Sequence, residues 1–229
     1  MLRIVDEEVL KNTGLTKNSI LTYENGDKLF YKSSIHMDPE AVKKIAEAAP
    51  PNVVKVIDYT YHSMMTEYVE GNDLTDALLT EEEVFLVLLQ ICDGLIALHD
   101  LGIIHRDINP SNIMLGNDGF VRIADLESAV YTGGKRLEDN NCKGTSYFAA
   151  PEMLGRAPID HRADIYSLGA VISYLTGNMF AVFPVAEIIQ GCTAISPDKR
   201  FSTVRRVRDQ IWGAYVNTFP DISCYFENL

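Results

Sequence analysis

Ile104-His105-Arg106-Asp107-Ile108-Asn109-Pro110-Ser111-Asn112 is followed, thirteen residues after Asn112, by Asp125. Between them the sequence predicts two short strands joined by a turn at Asn117-Asp118-Gly119. An Asp and an Asn five apart on one loop, with a second Asp just past the next hairpin, gather oxygen-bearing side chains in one region. In-line phosphoryl transfer needs that set: an aspartate to orient the attacking hydroxyl and take its proton, and hard oxygen ligands for magnesium on a triphosphate.

Upstream, the chain reads as strand-rich. Asn18–Tyr23 and Lys28–Lys32 flank the turn Glu24-Asn25-Gly26-Asp27, and Val53–Tyr59 and Ser63–Tyr68 are further strand candidates. Between the pairs, Asp38 as N-cap and Pro39 at the first helical position predict a helix to about Ala48, stopped by Pro50-Pro51. Downstream the pattern turns helical. Val84, Leu88, Ile91, Leu95 and Leu98 recur at helical spacing through Glu81–His99, with apolar residues on the other faces too, so this helix is predicted to be buried. His161–Tyr174 is similar. A sheet-rich lobe followed by a helical lobe leaves a cleft near Glu70-Gly71-Asn72, where ligands usually bind.

Several motifs in this order resemble the eukaryotic-type serine/threonine protein kinases. His105-Arg106-Asp107 with Asn112 resembles their catalytic loop, and Asp125-Leu126-Glu127 stands where they carry Asp-Phe-Gly. Gly144-Thr145-Ser146-Tyr147-Phe148-Ala149-Ala150-Pro151-Glu152 resembles the end of an activation segment. Asp164-Ile165-Tyr166-Ser167-Leu168-Gly169 resembles the helix whose aspartate buttresses the catalytic loop, and Arg200 is placed like the arginine that pairs with Glu152. The resemblance implies an α+β, two-lobed fold: a small antiparallel-sheet lobe over residues 1–68 and a mainly helical lobe over residues 69–229, forming one domain. It implies ATP and magnesium as cofactors. Asp107 would be the base, and Asn112 and Asp125 the metal ligands. Lys32 would grip the α- and β-phosphates, and Thr66-Glu67-Tyr68-Val69 would be the hinge, with the Glu67 carbonyl and Val69 amide meeting adenine.

The sequence also departs from the family. Val9–Leu21 carries only Gly14 where a phosphate loop usually has three glycines, so Thr16 and Asn18 are candidates to donate hydroxyl and amide groups to phosphate instead. This loop resembles that of aminoglycoside and choline kinases, which share the fold. Phe30 replaces an alanine on the face that also bears Lys32, so its ring is expected to enter the adenine pocket. The glutamate that should pair with Lys32 is either Glu40 or Glu47, with Glu40 favoured; Ala41 holds the in-register position. In the catalytic set, Asn109 replaces a lysine that neutralises the γ-phosphate, and Asn109→Lys is expected to speed transfer about tenfold. Glu127 replaces a glycine and adds a like charge beside Asp125. Glu138 and Asp139, near Asn141 where a phosphorylated threonine would be usual, are candidates to serve Arg106 as fixed carboxylates.

The net charge of −12 argues against a nucleic-acid-binding face. Asp6, Glu7 and Glu8 occupy the place where a signal peptide would be apolar, no apolar run is long enough to span a bilayer, and four scattered cysteines suit a reducing compartment. The expectation is a cytoplasmic enzyme with a protein substrate and no membrane or nucleic-acid partner. Two readings stay open beside phosphorylation of protein Ser/Thr: a pseudokinase-type interaction module and a small-molecule kinase. Ala150-Pro151-Glu152 argues against the latter.

Overall fold

The computed structural model describes residues 3–137, 147–155, 157–177 and 185–220. The strand-rich third forms a five-stranded antiparallel sheet from β1 (Ile4–Asn12), β2 (Thr16–Tyr23), β3 (Lys28–Ser34), β4 (Val56–Tyr59) and β5 (Ser63–Glu67), in the order β1-β2-β3-β5-β4. The strand β1 escaped sequence reading because every residue in it is exposed, so it lacks the alternation that marks a half-buried strand.

Helix α1 (Pro39–Ala48) begins as its sequence dictates: the Asp38 carboxylate accepts hydrogen bonds from the backbone NH groups of Glu40 (3.0 Å) and Ala41 (3.5 Å). Ala41, Val42 and Ile45 form its buried stripe. The segment after it crosses to the other lobe. Val54 N donates to Ile123 O (3.0 Å), Ile123 N to Asn52 O (2.8 Å), and Asn52 Nδ2 to Val121 O (2.8 Å) and Gln90 Oε1 (3.1 Å).

The large lobe is built on α2 (Glu81–Asp100), which opens with a capping box between Thr80 and Glu83 and buries residues on all faces. Short strands β6 (Gly71–Asp73), β8 (Ile113–Gly116) and β9 (Val121–Ile123) form a second sheet, and β7 (Ile103–Ile104) pairs with β10 (Val130–Tyr131). Helices α3 (Pro151–Leu154), α4 (Arg162–Thr176), α5 (Val185–Cys192) and α6 (Val204–Thr218) complete the described residues. On α6, Val207 is buried while Arg205 and Arg208 reach α2, pairing with Asp100 (2.5 Å) and Asp93 (2.6 Å). Among the described residues no helix is long and apolar enough to cross a membrane. Cys92 and Cys192 are buried free thiols, and burial pushes the Cys192 thiol up to about 12.

Candidate active site

The loop after β7 hangs from one fully buried carboxylate. Asp164, on α4, accepts hydrogen bonds from His105 N (2.9 Å) and Arg106 N (2.8 Å), and its Oδ2 lies 2.9 Å from His99 Nε2. Burial alone would raise the Asp164 pKa, but these partners outweigh it and hold it below the ordinary value. Arg106 is thereby kept in the left-handed region, φ 68°. That conformation is disfavoured for a side chain with a Cβ and persists where the surroundings over-determine it. His105 is completely buried, its Nε2 lying 3.0 Å from Ala124 O, so it packs beneath the loop.

Two asparagines hold the Asp107 carboxylate. Asn112 Nδ2 donates to Asp107 Oδ2 (2.9 Å), and Asn109 Nδ2 to Asp107 Oδ1 (3.1 Å). Asn109 also caps the following turn, its Oδ1 accepting from Ser111 N (3.1 Å) and Ser111 Oγ (2.6 Å). The side chain read from sequence as a lost cation thus bonds the Asp107 carboxylate and caps the turn at Pro110. Asn109→Lys removes the cap and a hydrogen bond to a charged group, so the expected gain is revised to a loss of about tenfold or more in transfer rate. Steady-state kinetics of the variant decide the sign.

Lys32, 3% exposed, places Nζ 2.5 Å from Asp125 Oδ1 and 2.8 Å from Glu127 Oε2. Burial would lower the ammonium's pKa, but the two carboxylates outweigh it and raise it, so the lysine is charged. The expected pairing of Lys32 with Glu40 is corrected. Glu40 sits on the outer face of α1, 3.6 Å from Lys44, and Glu47 is exposed; the inward positions are the apolar Ala41 and Ile45.

Two adjoining cavities meet at Asp125. One, about 320 Å³ and largely apolar, is lined by Phe30, Met64, Thr66, Glu67, Val69 and Ala124 among others. Phe30 enters this pocket as expected, directly opposite Thr66, and leaves the cavity open at a size suited to a small ligand. The Glu67 carboxylate turns away, accepting from Lys55 N (2.9 Å) and pairing with Arg122 (3.3 Å). The second cavity, about 470 Å³, is polar and lined by Lys11, Thr16, Asn18, Lys32, Asp107 and Asp125 among others. Thr16 and Asn18 thus both reach it. Lys17 instead pairs with Glu7 at 2.7 Å. All the candidate site residues border one cavity or the other except Glu40 and Asn109, and Asn109 touches the site through Asp107. Sequence reading missed Lys11, Ser34 and the partnership of Glu127.

Beyond the cleft, Arg200 and Glu152 form a two-bond fork, Nη1–Oε1 at 2.6 Å and Nη2–Oε2 at 2.7 Å. Arg106 donates from Nε to Ser128 O (2.6 Å). Glu138, Asp139 and Asn141 lie outside the described residues.

Residues 27–211 match the protein kinase domain family. Curated relatives include serine/threonine-protein kinase ste20 of Aspergillus fumigatus, 34% identical over 126 residues, covering 52% of this chain and 16% of that protein. Serine/threonine-protein kinase STE20 of Saccharomyces cerevisiae is 35% identical over 130 residues, covering 53% and 14%. Serine/threonine-protein kinase PAK 5 of Rattus norvegicus is 30% identical over 152 residues, covering 65% and 19%. The matched region is thus less than a quarter of each of these relatives. With the buttressed loop, the paired lysine and the two-part cleft in place, this chain belongs to the protein kinase domain family.

Proposed function

We propose that this protein transfers a phosphoryl group from ATP, with magnesium, to Ser/Thr hydroxyls of a protein substrate. The observation that carries this reading is the junction at Asp125 of an apolar cavity sized for a base with a polar cavity bearing a buried lysine and two aspartates. The donor set fits the cofactors. Asp125 and Asn112 are hard oxygen ligands suited to magnesium, and Asn112 spends its amide nitrogen on Asp107, so its oxygen is the atom left for a metal. Magnesium, when bound, neutralises charge on the phosphates. Asp107, aligned by Asn109 and Asn112, orients the attacking hydroxyl and takes its proton, while Lys32 fixes the α- and β-phosphates. The backbone of Glu67 and Val69 supports binding of adenine against Phe30.

The test is transfer of radiolabel from ATP to a mixture of proteins and free small alcohols. Label on Ser/Thr of proteins is expected. Label on small alcohols alone would favour a small-molecule kinase, and binding of ATP without transfer would favour an interaction module, the reading that the missing lysine at Asn109 supports. Asp125→Asn is expected to weaken magnesium-dependent ATP binding about tenfold or more, leaving metal-independent binding nearly unchanged. Titration calorimetry with and without magnesium checks it.

A further inference from the structure

We propose that Glu127 is the carboxylate that positions Lys32 for the nucleotide phosphates, a task that in this family falls to a glutamate on the helix of the small lobe. The proposal rests on the nucleotide-binding reading above and concerns how that site is held. A buried ammonium needs a fixed counter-charge to stay where phosphates can meet it. Asp125 cannot be that partner throughout, because its carboxylate is also a candidate metal ligand. Helix α1 offers none: Glu40 is engaged by Lys44, Glu47 is exposed, and Ala41 and Ile45 face inward.

Glu127 is gripped at both oxygens. Its Oε2 lies 2.8 Å from Lys32 Nζ, and its Oε1 accepts from Ser34 Oγ at 2.6 Å. Lys32 and Ser34 are two apart on β3, so the alternation of the strand puts both on one face, and Glu127 bridges them. The turn Leu126–Ser128, entered through Asp125 at φ 54° and closed by Glu127 N donating to Asp125 Oδ1 (3.3 Å), aims the side chain back at the strand. Two departures from the family thus make one exchange: the carboxylate absent from α1 reappears in the loop that bears Asp125. Lys32 is then locked by a residue travelling with the metal-binding loop, and its engagement does not depend on where α1 sits.

The test is a double-mutant cycle on MgATP affinity, with Lys32→Met, Glu127→Gln and the combination, on the whole chain. Adenosine, which carries no phosphates for Lys32 to meet, reports that each variant is folded. Glu127→Gln is isosteric and keeps an acceptor for Ser34; it is expected to weaken MgATP binding roughly tenfold. In the Lys32→Met background it is expected to add almost nothing, because it acts through the lysine. Ser34→Ala should give a smaller loss that is also absent in that background. Undiminished MgATP affinity in Glu127→Gln would overturn the proposal, and so would an equal loss with and without Lys32, which would make Glu127 a direct ligand of metal or phosphate. A tenfold loss in Glu40→Gln would return the task to α1. Wild-type protein that binds neither adenosine nor MgATP would instead sink the nucleotide reading itself.

Discussion

Asp107→Asn is expected to lower phosphoryl transfer by about 10²–10⁴-fold while changing MgATP affinity by less than about threefold. In the proposed reaction the base is needed only as the hydroxyl proton leaves, so its removal touches the transition state and not the bound ground state. The geometry sharpens the expectation. Both Asp107 oxygens accept from asparagine amides, Oδ1 from Asn109 and Oδ2 from Asn112. An amide at position 107 must turn one NH₂ toward a donor, so a stability loss of about 1–3 kcal/mol should accompany the kinetic loss. Single-turnover assays and calorimetry on the same preparation separate the two effects. A variant with wild-type turnover would remove Asp107 from the chemistry.

Arg200→Ala is expected to be among the most destabilising single substitutions in the large lobe. The Arg200 side chain is 0% exposed and the Glu152 side chain 8%, so deleting the guanidinium removes both bonds of a charge pair that has little access to water. Arg200 also donates to the carbonyls of Arg162 (2.9 Å), Ala194 (2.8 Å) and Ile195 (3.2 Å), which tie α4 to the segment after α5. Breaking a buried pair of this kind costs about 3–5 kcal/mol, which for a chain of this size lowers the melting temperature by about 10 °C or more. Thermal unfolding followed by circular dichroism provides the measurement. A shift under about 2 °C would show that the pair is solvated and contributes little.

The sequence carried the catalytic loop legibly because Asp107, Asn112 and Asp125 lie within nineteen positions of one another and their order is itself informative. Helix α1 was legible at both ends, through Asp38-Pro39 and the double proline. Its rotation was not. Neighbouring helical residues differ by about 100° in direction, so favouring Glu40 over Ala41 as the inward position turned the helix face from the core to solvent. Glu127 looked like a repulsive neighbour of Asp125 because its cation is 95 positions away in the chain and meets it only after the lobes close on each other. The contacts of Asn109 were hidden for a related reason. Substituting an amide for a cation suggests a loss of charge, while the cap and the bond to Asp107 appear only once the turn at Pro110 exists.

The crossing at Asn52–Val54 constrains how the cleft can move. The lobes are joined covalently through the Glu67–Val69 strand end and again by the hydrogen bonds from Asn52 and Val54 to β9 and α2. Gly94 permits the second junction, since a Cβ there would lie 2.7 Å from Asn52 O. A third tie crosses the polar cavity itself, where Lys32 and Ser34 of β3 bond Asp125 and Glu127. Both junctions border the apolar cavity through Val54, Glu67 and Val69, so widening the polar compartment requires breaking the bonds of Lys32 and Ser34 first.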